Sequence, residues 1–108
     1  MIEVRRYIDR RGRDVVGEWL NGLESKAVAR VSERIDRLSL GNFGDCKSLR
    51  SGVSELRVDW GPGYRLYYGM LGRTCVLLLY GGDKRKQSSD IERAIEYLED
   101  YKGRMREP

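Results

Sequence analysis

The chain has 108 residues, 40 % of them hydrophobic and 35 % charged, and 21 Lys and Arg against 17 Asp and Glu leave a formal net charge of +4. That length holds one domain with one modest core, so residues 1–108 are read as a single domain. There is no histidine, and the two cysteines, Cys46 and Cys75, are far apart; this excludes the usual zinc spacings and a redox pair, and predicts neither metal nor cofactor. No apolar run approaches the roughly 20 residues of a membrane span, and Met1–Arg6 lacks the apolar core of a signal peptide. The expectation is a cytoplasmic protein with no membrane contact.

Ile2, Val4 and Ile8 alternate with charged residues and predict a first strand over 2–8. Val15, Val16, Trp19, Leu20 and Leu23 share one helical stripe, which predicts a first helix over 13–23, weakened at its end by Asn21-Gly22. A second helix is predicted over 25–40, with Ser25 as N-cap and Gly41-Asn42 as a left-handed stop. Val28, Val31, Ile35 and Leu38 form its apolar face, and the two helices make a helical hairpin. Residues 41–52 read as a glycine-rich loop holding Cys46 as a free thiol.

Val53, Leu56 and Val58 interleave with polar residues and predict a strand in which Arg57 points away from its two apolar neighbours. Gly61-Pro62-Gly63 supplies a tight turn, and Tyr64–Tyr68 returns as a strand with Arg65 set among aromatics and Tyr67 and Tyr68 on opposite faces. Val76–Tyr80 is apolar enough for burial on both faces, with Cys75 packed beside it, and ends in a Gly81-Gly82 turn; Asp83 either orients that turn or pairs with a neighbouring arginine. Ser89 and Glu92 have capping-box spacing; Ile91, Ala94, Ile95 and Leu98 continue a last helix that Gly103 ends, with 104–108 fraying. The order β-α-α-β-β-β-α is an α+β layout, with the helices expected on one face of a mainly antiparallel sheet.

The positive charge is concentrated. Residues 47–86 hold eight basic side chains (Lys47, Arg50, Arg57, Arg65, Arg73, Lys84, Arg85, Lys86) and three acidic ones (Glu55, Asp59, Asp83), so the rest of the chain is close to neutral. Cations at strand ends beside aromatic rings suit a phosphodiester chain. A plainer account is also open: Arg57 and Arg65 as solvated sheet residues paired with Glu55 or Asp59, Lys84-Arg85-Lys86 as a solubilising turn, and Asp90 as first-turn helix stabilisation. Trp19 is expected in the core; Trp60 either packs under the loop or stacks on a base or partner.

The runs GN-x-GD-x-K-x-L at 41–49, GV-x-ELR at 52–57, GPGYR-x-YY at 61–68 and LLLYGGDK-x-x-Q-x-x-DI at 77–91 resemble the RelE/ParE toxin superfamily, in particular its HigB-like addiction module killer branch. The resemblance spans nearly the whole chain and implies the RelE-like β-α-α-β-β-β-α fold. It also implies the toxin component of a type II toxin–antitoxin system, whose partner is a cognate antitoxin of helix-turn-helix type. RelE- and HigB-type members cut mRNA on the ribosome without metal, the 2′-hydroxyl attacking the adjacent phosphate. On this basis Arg65, Arg57, Lys84 and Arg85 are the candidate catalytic residues, and Lys47, Arg50, Lys86, Tyr64 and Tyr67 the candidate nucleic-acid contacts. The chain departs from the pattern in carrying Gln87, Ser88 and Ser89 where such RNases place a His or Tyr. That leaves two alternatives: a ParE-like toxin that inhibits DNA gyrase and cuts nothing, or a member that binds nucleic acid after losing activity.

Overall fold

The computed structural model describes residues 1–106. The elements are β1 (Glu3–Arg6), α1 (Val15–Asn21), α2 (Ser25–Ser39), β2 (Cys46–Ser48), β3 (Val53–Val58), β4 (Tyr64–Leu71), β5 (Cys75–Asp83), a 3-10 turn (Lys84–Lys86) and α3 (Gln87–Arg106). The five strands form one mixed sheet in the order β1-β5-β4-β3-β2, in which β1 runs parallel to β5 and the other pairings are antiparallel. The protein is thus an α+β domain, and no helix among the described residues is long and apolar enough to cross a membrane.

Strand alternation gives the sheet two apolar faces, and both are covered. Leu56, Val58, Tyr64, Leu66, Tyr68, Val76 and Leu78 meet Val16 and Leu20 of α1 and Ala27, Val31 and Leu38 of α2. On the opposite face Val53, Tyr67, Leu77 and Leu79 meet Ala94, Ile95 and Leu98 of α3. The expectation that all helices share one face is therefore corrected. A sheet with an apolar stripe on each side needs a layer on each side, and β5, buried from Cys75 to Leu79, could not be solvated on either. Cys75 packs as expected.

Local chemistry moved several boundaries. Asp14 caps α1 by accepting a hydrogen bond from the Gly17 amide at 3.0 Å, so that helix starts at Val15, and Ile8 makes an isolated bridge to Asp14 after the first strand has ended. Glu24, not Ser25, is the N-cap of α2, without a side-chain hydrogen bond. The loop expected over 41–52 contains β2, whose three residues pair with Ser54–Leu56; Cys46 is a half-buried strand residue whose thiol donates to the Phe43 carbonyl. The Ser89–Glu92 capping box does not form: the Ser89 hydroxyl donates back to the Lys86 carbonyl, because the 3-10 turn runs directly into α3 and Asp83 caps the turn. Gly103 lies inside α3, and residues 104–106, expected to fray, extend it; residues 107 and 108 lie outside the described part.

Gly81 and Gly82 are strand residues, not a turn. Successive strand residues face opposite sides, and a β-bulge after Tyr67, which pairs Tyr67 with Tyr80 and Tyr68 with Leu78, shifts the phase of β5 so that Gly81 faces the α1–α2 layer and Gly82 the α3 layer. A Cβ on Gly81 would lie 2.2 Å from the Trp19 ring, and one on Gly82 would lie 2.0 Å from the Asp90 carboxylate. Gly81→Ala should therefore cost about 1–3 kcal/mol in urea-unfolding stability, the usual penalty for overpacking. An unchanged midpoint would mean that Trp19 can move aside freely.

Candidate nucleic-acid interface

Three elements meet at the β3–β4 hairpin. Gly61 and Gly63 take positive φ (58° and 82°), the conformation that lets the chain reverse within five residues between β3 and β4. The backbone register then sets Arg57 directly opposite Arg65, on the face of the sheet that α3 covers. The Lys84 amide donates to the Gly63 carbonyl at 3.2 Å, tying the start of the 3-10 turn to the hairpin. Arg57 in turn donates its amide to the Asp45 carbonyl at 3.0 Å, which draws in the segment before β2. The result is an open recess of about 260 Å³ lined by Asp45, Arg57, Asp59, Gly61, Gly63, Arg65 and Lys84.

Beneath it lies Glu55, 0 % exposed. Its Oε2 is 2.9 Å from Arg65 Nε, a close ion pair whose angle falls short of a hydrogen bond. Its Oε1 lies 3.7 Å from an Arg57 Nη and accepts from Gln87 Nε2 at 3.4 Å. The Arg65 side chain is 17 % exposed and that of Arg57 37 %, so each guanidinium keeps part of its surface toward the recess while its base rests on a carboxylate. A guanidinium carries five N–H donors, and Glu55 engages few of them. Two rim carboxylates and Glu55 balance the three cations, so any anion selectivity here comes from aimed donors and not from net charge.

Of the residues expected to act together, the recess unites Arg57, Arg65 and Lys84. Arg85 is not among its lining: the guanidinium folds back onto Asp83 at 2.7 Å and its side chain is 79 % exposed. That ion pair also holds the Asp83 carboxyl below its ordinary range. Arg50 pairs with Glu92 of α3, away from the recess. Lys47 is exposed and stands opposite Glu55 in the β2–β3 register, beside the recess on the same face. Lys86 is exposed on an outer groove with Arg85 and Gln87. The two tyrosines are corrected. Tyr64 is buried edge-on against Trp19, their centroids 6.1 Å apart, and Tyr67 is fully buried under α3, so neither presents a ring face to a base. Tyr67 and Tyr68 do point to opposite faces, and both enter the core because both faces are covered.

The pairing of Arg57 and Arg65 with Glu55 follows the plainer expectation, except that the pair is buried and not solvated. Its burial was not legible because the covering layer, α3, comes thirty residues later in the chain. Asp90 lies in the first turn of α3 as expected; what was not legible is its burial against Gly82, which leaves its Oδ2 without a protein hydrogen-bond partner. Burial raises its carboxyl above the ordinary range. Burial, reinforced by Asp90 and Glu55, likewise pushes the Tyr67 phenol well up, and its hydroxyl is unpartnered within the protein.

Fold and site define a small α+β domain with a guanidinium-lined recess at a hairpin turn. No family model matches the chain. A protein of Haemophilus influenzae, described as uncharacterized, is 48 % identical to it over 77 residues, covering 70 % of this chain and 78 % of the relative. The chain belongs to one family with that protein.

Two outcomes follow from the buried charges. Glu55→Gln, nearly isosteric, leaves Arg65 without its counter-charge and should cost roughly 3 kcal/mol in chemical denaturation; a loss near zero would mean that the pair contributes nothing net. Asp90 has a raised pKa in the folded state, so its stabilising contribution is complete below the unfolded value and is lost as pH rises through the folded one. Asp90→Asn should therefore be more stable than the parent at pH 7, with the difference closing below about pH 4. A pH-independent difference would contradict this.

Proposed function

We propose that the protein is the toxin of a type II toxin–antitoxin system, of RelE/ParE type, that binds and cleaves mRNA on the ribosome. The observation that carries this reading is the convergence of Arg57, Arg65 and Lys84, from three separate elements, on one recess beside a glycine turn. A scissile phosphate in that recess would meet guanidinium donors held from behind by Glu55, so that little reorganisation is needed as negative charge builds on the phosphorane. The 2′-hydroxyl must lose a proton and the departing 5′-oxygen must gain one. Asp45 or Asp59 at the rim is the available acceptor, and the exposed Lys84 ammonium the available donor. Glu55, without access to the recess, positions the arginines and does not touch substrate. The antitoxin partner, in this reading a helix-turn-helix protein, would neutralise the toxin by masking the recess.

The burial of Tyr64 and Tyr67, in a chain without histidine, favours a second reading: a ParE-like toxin that acts on DNA gyrase without cutting RNA. Arg65→Ala separates the two when growth, transcript ends and plasmid supercoiling are followed together after induction. The first reading expects growth arrest with new 5′-hydroxyl mRNA ends in the parent, both abolished by Arg65→Ala with the fold retained. Intact mRNA with relaxed or broken DNA would replace it with the second.

A further inference from the structure

A second recess of about 320 Å³ adjoins the first and shares Asp45, Arg57 and Asp59 with it. Its outer wall is α2, which contributes Arg30, Arg34 and Arg37 from one helical stripe, and its far end is Trp60, half-buried where the chain leaves β3. Arg34 is the unusual member. The residue is only 8 % exposed, and its Nη2 donates to the Phe43 carbonyl at 3.1 Å. Its Nη1 is buried with no hydrogen-bond partner in the protein. Room for this guanidinium comes from Gly44, where a Cβ would stand 2.9 Å from Nη2. A buried charged donor left unpaired is costly, and here it belongs to a residue that lines an open recess.

We propose that the Arg34–Trp60 recess is a second nucleotide subsite, holding the RNA residue next to the one seated at Arg57, Arg65 and Lys84. This rests on the RNA-binding part of the toxin reading. The lining decides between a nucleotide and an acidic peptide. Guanidiniums donate to a phosphodiester, and the Trp60 indole, half-buried against the core, still lines the recess and gives a base an aromatic neighbour. The carboxylates of Glu33, Asp45 and Asp59 can accept from the exocyclic amino group of a base. An acidic peptide would satisfy the cations but bring no base amino group to those carboxylates. Since the two recesses share Arg57, one polynucleotide chain can pass from the first to the second at that residue.

The test compares a 2′-O-methyl nucleoside 3′-monophosphate, which fills one subsite, with a 2′-O-methylated dinucleotide, which fills both and cannot be cleaved, each titrated against the full chain at about 0.1 M salt. The dinucleotide is expected to bind about tenfold more tightly, the contribution of one stacked base, and to quench indole emission. The quench should disappear in W60F, and the length-dependent gain should disappear in R34Q and shrink in R30Q. R30Q alters an exposed residue and guards against R34Q failing to fold. Equal affinity for the two lengths overturns the proposal, as does a gain retained in both arginine variants. Quenching by an oligoglutamate that the dinucleotide cannot displace would also overturn it and assign the recess to a protein partner. If R65A abolishes mononucleotide binding but the second residue brings no gain, this subsite alone is lost; if neither ligand binds the parent, the RNA-directed toxin reading falls with it.

Discussion

Glu55 is a carboxylate with no access to solvent, and two guanidiniums and a carboxamide from three elements converge on it. Removing such a charge from water costs several kcal/mol, recovered only where partners are held in place. Here the partners are fixed by strand register: Glu55 and Arg57 are two apart on β3, and Arg65 faces Arg57 across the β3–β4 ladder. Gln87, at the start of α3, closes the arrangement from above. The same contacts anchor α3 to the sheet and aim the arginines at the recess. Site geometry and the attachment of the last helix are thus one set of interactions.

This explains what could and could not be read from residues alone. The alternation through Val53–Val58 and the glycine turn at 61–63 placed Arg57 and Arg65 side by side, and their joint position is as expected. Strand β5 was legible because its apolar run is continuous. Tyr64 and Tyr67 were not, since a tyrosine in a strand looks the same whether a helix covers it or water does, and the covering side chains lie far away in sequence. Arg85 stays out of the recess for a local reason, the expected pairing of Asp83 with a neighbouring arginine: Asp83, two residues earlier, is close enough to capture both the Arg85 amide and its guanidinium. Strand β2 escaped notice because three residues carry too little periodicity to announce themselves.

The pair Gly81-Gly82 shows how one motif serves two layers. Each glycine removes a side chain where a helix-borne group comes close, Trp19 of α1 on one side and Asp90 of α3 on the other. What resembles a flexible turn in sequence is a thin place in the sheet; strand alternation puts one glycine on each face, and the bulge beside it decides which. Asp90 lies in the first turn of α3, directly after the 3-10 turn whose first residue, Lys84, reaches the rim of the recess.

The parallel pairing of β1 with β5 joins Glu3 to Cys75. Contacts so distant along the chain require closing a long loop before they return any energy, and they belong to the slow part of folding. A polypeptide emerging from the ribosome has β3 and β4 available as a local hairpin before β5 has been made to pair with β1. Until then the hairpin has neither Gln87 above Glu55 nor Lys84 over Gly63. The hairpin can bring Glu55 to its two arginines by itself, but the recess is complete only when the late-made segments have docked.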